Sequence, residues 1–192
     1  MDKHAFNINH INNIISIYPG RTMKIIDAKV QKNLSNYIFQ CLLATAILLL
    51  ALFFLNVITE TAIIASLGAT AFIVFAMPKT YASSPRRLIG GYSIGISSGL
   101  ICYYLGNSIP TNQLILPIIQ HEIPLFFAAV AVGLSIFIMT ITNTEHAPAA
   151  GISLGLVINQ WQFNSILFII IVMLVMAGIN YLLQPYLINL SS

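Results

Sequence analysis

Serines bracketed by glycine, four histidines and a few isolated carboxylates are the residues of this chain from which chemistry would be built. Gly95-Ile96-Ser97-Ser98-Gly99 and Gly151-Ile152-Ser153-Leu154-Gly155 both match the Gly-x-Ser-x-Gly pattern of a serine nucleophile. That nucleophile sits on a strand-to-helix turn, and neither match follows a stretch that reads as a strand. Small residues on membrane helices produce such matches freely. His4, His10, His121 and His146 show no paired ligand spacing, and no second carboxylate joins Glu145. The expectation is therefore no metal, no cofactor and no catalytic centre. A hydrolase reading would need a covalent probe to label Ser97 or Ser153.

Two polar loops carry more information. In the first, Pro78 and Pro85 bracket a turn, with Lys79 near its start and the pair Arg86-Arg87 entering the next apolar run. In the second, Thr144-Glu145-His146 precedes Ala147-Pro148. Proline is tolerated in the first turn of a helix, where its missing N–H is not needed. His146 thus falls just outside a helix start, where free N–H groups and a partial positive charge suit an anion. A histidine there either caps the helix or changes charge near neutral pH. Lys79, Arg86 and Arg87 either concentrate anions at a mouth or set topology and anchor headgroups.

The elements that hold these loops are dictated by composition. Of 192 residues, 58% are apolar and 7% charged, against about 25% charged in a soluble domain. The charges are confined to short stretches, and none follows Glu145. Between them lie apolar runs at residues 37–58, 61–77, 88–105, 123–142, 147–158 and 163–183, four of full length and two short. A bilayer core needs roughly 20 helical residues to cross. The runs are continuously apolar, so an alternating β-barrel pattern is excluded, and the fold expected is all-α: a polytopic transmembrane helical bundle. Residues 147–158 cover only about 18 Å at 1.5 Å per residue and either cross or dip in and return.

Five of the eight basic residues precede the first run and the other three lie in the 78–87 loop. If the first two runs cross, both basic regions share one side, which the positive-inside bias makes cytoplasmic. Residues 1–36 then form a basic cytoplasmic segment, in which Ile8, Ile11 and Ile15 suit a short surface helix or belong to a mobile tail. Residues 184–192 are a short polar tail. Basic residues beside membrane spans are explained by headgroups, so the partners expected are the lipid bilayer and a small-molecule or ion substrate, and no nucleic acid. Cys41 and Cys102 sit in spans as small packing residues.

Thr59-Glu60-Thr61-Ala62 and Thr144-Glu145-His146-Ala147 occupy equivalent places, each after a full-length run and opening a short one. The chain then reads as two long–short–long repeats. Three crossings per unit force the second to be inverted, an architecture used by transporters. Gly91, Gly95 and Gly99 recur every four residues, and Gly151 and Gly155 repeat the spacing. Such stripes let helix backbones approach closely, within one chain or in a homo-oligomer.

Several of these residues together resemble the HPP family of integral membrane proteins: the block Ala65-Ser66-Leu67-Gly68-Ala69-Thr70-Ala71, the loop from Pro78 to Pro85-Arg86, Gly90-Gly91, and His146-Ala147-Pro148-Ala149. The resemblance covers residues 37–183. Ala147 stands where the first proline of the motif is expected, Ala150 where a glycine usually follows, and Tyr92 where a histidine is common. The family is generally described with four spans, which fits if both short runs are re-entrant. Some members have been linked to nitrite transport. The resemblance implies a transporter or channel for a small anion in a prokaryotic cytoplasmic (inner) membrane, N-terminus cytoplasmic, with Ser66, Gly68, Thr70, His146 and Pro148 shaping the path. The alternative is a non-transporting component that packs against partner helices or lipids through the Gly91–Gly95–Gly99 stripe.

Overall fold

The computed structural model describes residues 28–54, 60–109, 117–159 and 161–190; the surface helix expected around Ile8 to Ile15 lies outside them. Among the described residues six α-helices follow in order: α1 (Ala28–Phe54), α2 (Thr61–Ala76), α3 (Pro85–Asn107), α4 (Pro117–Thr142), α5 (Ala147–Ile158) and α6 (Phe163–Leu183), with one 3-10 turn at Tyr81–Ser83. Among the described residues there is no strand. Among the described residues, three helical stretches, Pro85–Asn107, Glu122–Thr142 and Phe163–Leu183, are long and apolar enough to cross a membrane; the fourth full-length run expected, 37–58, extends beyond the described residues. α1 starts well before its apolar run and breaks helical geometry at Asn33 (φ −133°). Likewise α3 begins at Pro85, so Arg86 and Arg87 belong to its first turn. α4 continues through Pro124.

Large apolar side chains cover the outside of the bundle, including Phe72, Phe126, Phe137, Ile141, Leu167, Ile171 and Leu182, all more than two-fifths exposed. A soluble monomer does not leave such surface in water; hydrocarbon is the medium that accommodates it. Membrane-facing exteriors of this kind leave the interior to do the packing.

Side-chain contacts fix the direction of every helix. At one end, which carries Lys79, Arg86 and Arg87, the chain after α6 binds back. Leu190 N–H donates to Ala76 O (2.8 Å), Lys79 N–H donates to Asn189 Oδ1 (2.9 Å), and Tyr37 Oη donates to Leu190 O (2.7 Å). The 184–190 stretch, expected only as a polar tail, is therefore a strap over α1 and α2, with Leu187 fully buried. At the opposite end the Ser165 hydroxyl donates to the Glu60 carboxylate, and the Trp161 ring lies 6.1 Å from that of Tyr104. The six helices thus alternate in direction, and α5 runs from the basic end to the other without turning back.

A 12-residue helix can do this because it does not face lipid. Eight α5 residues, from Pro148 to Val157, are buried among α2, α3 and α4. The roughly 20-residue requirement applies to a helix whose ends must clear hydrocarbon; α5 has protein around both ends, where irregular backbone is tolerated.

Candidate functional site

α5 is held in place by glycines on two sides. A Cβ added at Gly91 would lie 2.7 Å from His146 Cβ, one at Gly99 would lie 3.0 Å from Ser153 Cα, and one at Gly95 would overlap the Ala149 carbonyl. The residue numbers rise together, so α3 and α5 run parallel along the stripe. On the other side, Gly151 meets Ser66 and Gly155 meets Ile63, with a Cβ at Gly155 only 2.8 Å from Ile63 Cγ1. Here the numbers run in opposite senses, so the two short helices cross antiparallel and touch. The Gly91–Gly95–Gly99 stripe is filled by α5 and is not a face left open for a partner helix. That corrects the expectation that a non-transporting component would dock through it.

At the basic end of this contact lies a row of hydrogen-bonded polar side chains. Tyr92 from α3, Thr70 from α2 and His146, the residue capping α5, are all fully buried. The Thr70 hydroxyl is 2.8 Å from Tyr92 Oη and 3.1 Å from His146 Nε2. His146 Nδ1 is 3.2 Å from Ala82 O in the turn before α3. A carbonyl only accepts, so Nδ1 carries the proton and a neutral ring presents a bare Nε2. Thr70 then donates to Nε2, and its oxygen receives the Tyr92 proton. Every polar atom of the row is satisfied, in a fixed direction. The Tyr92 and His146 rings stand 5.7 Å apart, tilted by 37°.

A second polar cluster lies next to the row, in the 143–146 loop. The Arg87 side chain is only 4% exposed. Its Nη1 donates to the Glu145 carboxylate and, at 3.3 Å, to Glu145 O; its Nη2 donates to Asn143 Oδ1 at 2.5 Å. The Tyr81 ring covers the guanidinium, 3.1 Å from centroid to Cζ. Asn143 takes a left-handed backbone, φ 57°. Glu145's carboxyl is held below the usual carboxylate range by its own backbone N–H and then by Arg87.

Of the residues expected to shape a path, Ser66, Thr70, His146 and Pro148 come to the α2–α5 contact and are buried. Gly68 does not. It faces α1, where the nearest neighbour of an added Cβ is Leu48 Cδ1 at 3.6 Å, and it lines an apolar crevice of about 410 Å³ between α1 and α2. Helical geometry explains the split, since residues 66 and 70 share a face and 68 points away from it. Lys79 and Arg86 are exposed, while Arg87 is turned inward. Ser153 spends its hydroxyl on Ala150 O, and Ser97 lies exposed on α3. Tyr92, Tyr81 and Asn143 entered no expected site. Tyr92 alone carried a sequence signal, as the tyrosine at a position where the family commonly has histidine.

The family model for the HPP transmembrane region matches residues 29–190. This chain belongs to the HPP family. The match takes in all six helices apart from the first residue of α1, and includes the strap over α1 and α2. No curated protein and no solved structure matched this HPP chain, so its site is read from its own geometry.

Proposed function

We propose that this HPP protein is a carrier for a small anion, nitrite being the first to test, built as two inverted long–short–long halves in a cytoplasmic membrane. The observation that carries the reading is the Tyr92–Thr70–His146 row. Polar side chains at the crossing of two short helices, inside a bundle whose surroundings are apolar, are costly to keep and mark solute or proton pathways in membrane proteins.

Two relations support the inverted repeat. Gly151 follows Ser66 by 85 positions, the same interval that separates Glu145 from Glu60. Ser66 and Gly151 meet directly between the short helices, as expected if an axis relating two halves passes between them. The carboxylates that precede the short helices are also partnered crosswise. Glu145 binds the third residue of α3, Arg87, and Glu60 binds the third residue of α6, Ser165. Glycine contacts fill the centre, which favours a carrier that must rearrange over a permanently open channel. By the positive-inside bias, the end bearing Lys79, Arg86 and Arg87 faces the cytoplasm.

The test is uptake of nitrite into sealed proteoliposomes. His146→Ala should abolish uptake while expression and helix content stay near the parent's. Full flux in that variant would remove His146 from the path, and absence of flux in the parent across a panel of small anions would end the carrier reading.

A further inference from the structure

Arg87 is buried, yet only part of what surrounds it is fixed. Tyr81 stacks on the guanidinium face and donates its own hydroxyl to Asn143 Oδ1 at 2.5 Å. Asn143, set by its left-handed backbone, takes Nη2. Tyr81 and Asn143 thus hold the guanidinium through contacts that do not involve the Glu145 side chain. The Glu145 side chain, by contrast, is 45% exposed and approaches Nη1 from the open side. Nη1, which also donates to Glu145 O, takes a carboxylate there, and a guanidinium is matched in shape and charge by a flat, delocalised oxyanion. A buried cation must keep some partner, so exchanging one carboxylate for another planar anion is an easy step, whereas leaving the guanidinium bare is not.

We infer that Arg87, Tyr81 and Asn143 form a binding site for a small planar oxyanion (carboxylate, nitrite, nitrate or bicarbonate) and that the Glu145 carboxylate is a tethered occupant which the free anion displaces. The site rests on the proposed carrier function only for its use. Glu145 immediately precedes His146, so an anion arriving at Arg87 releases the residue next to the buried row, and the site is placed to admit solute from the basic end. Halides lack the flat pair of oxygens and gain little from the stack.

The experiment is thermal melting of the full detergent-purified chain in formate, nitrate, nitrite and chloride at constant ionic strength. The parent should respond weakly, because its occupant is in place. Glu145→Ala should melt lower and be restored by formate or nitrate, by about 4 °C or more at saturation, through ligand binding to the folded state alone. Chloride should not restore it, and adding Arg87→Gln should erase the response. Glu145→Gln, which keeps the side chain's size, is the second variant, and should show the same anion preference in smaller degree. No anion response in either variant, an equal response to chloride, or failure of both to accumulate even with formate overturns the inference. Planar-anion rescue without flux in proteoliposomes would leave the site standing and remove the carrier. Flux with no rescue would do the reverse.

Discussion

Gly95→Ala tests the central packing of the bundle. The added methyl would overlap the Ala149 carbonyl oxygen and lie 3.1 Å from its carbon, where non-bonded carbons settle at about 3.5–4.0 Å. Because the obstacle is backbone of α5, no side chain can swing aside, and the two helices must separate by roughly 1 Å. That also loosens the contacts at Gly91 and Gly99. Overpacking of this kind costs about 1–3 kcal/mol, and alanine returns about 0.5–1 kcal/mol over glycine inside a helix. The expected net loss is about 1 kcal/mol. Gly133 is the control, since nothing lies within 4 Å of a Cβ added there, and Gly133→Ala should gain about 0.5–1 kcal/mol. The two variants should therefore differ by roughly 4–8 °C in melting temperature for a chain of this size. The assay is thermal unfolding in detergent, with size-exclusion chromatography alongside. Equal melting of the two variants would refute the packing, and a Gly95→Ala variant that changes oligomeric state while melting normally would return the stripe to an interface between copies.

Three further outcomes follow from the polar row, the Glu145 carboxylate and the strap. Thr70→Val leaves His146 Nε2 and Tyr92 Oη without their common partner and should cost about 1–3 kcal/mol, whereas Thr70→Ser, which keeps the hydroxyl, should recover most of it; melting of the pair decides. The depressed carboxyl of Glu145 contributes stability above the ordinary carboxylate range that disappears as pH falls through its lower folded value; melting followed from pH 6 downward should show a slope that Glu145→Gln flattens. Truncation after Tyr186 removes buried Leu187 and the carbonyl of Ile188, which accepts from Gln40 Nε2 at 2.9 Å. It should lower melting markedly, and truncation after Leu190 should not, as thermal unfolding of the two shortened chains would report.

Much of this architecture was legible in the sequence. The bounds of α5 and α6 match the apolar runs residue for residue, because proline, polar turns and the absence of charge punctuate them sharply. α1 and α3 were underestimated, since a helix is free to continue past the edge of an apolar run where the run itself gives no sign of it; Pro85 at the start of α3 was the available signal. His146 and Thr70 were named as path residues, and the structure brings both into one hydrogen-bonded row. Gly68 went astray because it was taken with its sequence neighbours, although a period of 3.6 separates it from Ser66 and Thr70. Tyr81 and Asn143 were not legible. Their role depends on a left-handed residue and a stacked ring meeting Arg87 across 56 positions of chain, a distance over which spacing says nothing.

Glu60 and Glu145 also meet different partners in the two proposed halves. At the basic end Glu145 meets a guanidinium, so the contact is ionic and open to exchange with an anion from solution. At the other end Glu60 meets a hydroxyl, which gives a free anion nothing to replace it on. The glycine stripe of α3 likewise has no equivalent in α6. Its glycine, Gly178, has nothing within 4 Å of an added Cβ. In the proposed inverted repeat, the glycine contacts bind α2 and α3 of one half to α5 of the other, and α1 packs mainly on α2. Rearrangement in such a carrier therefore belongs to the α1 side, while selection of the anion belongs to the Arg87 end.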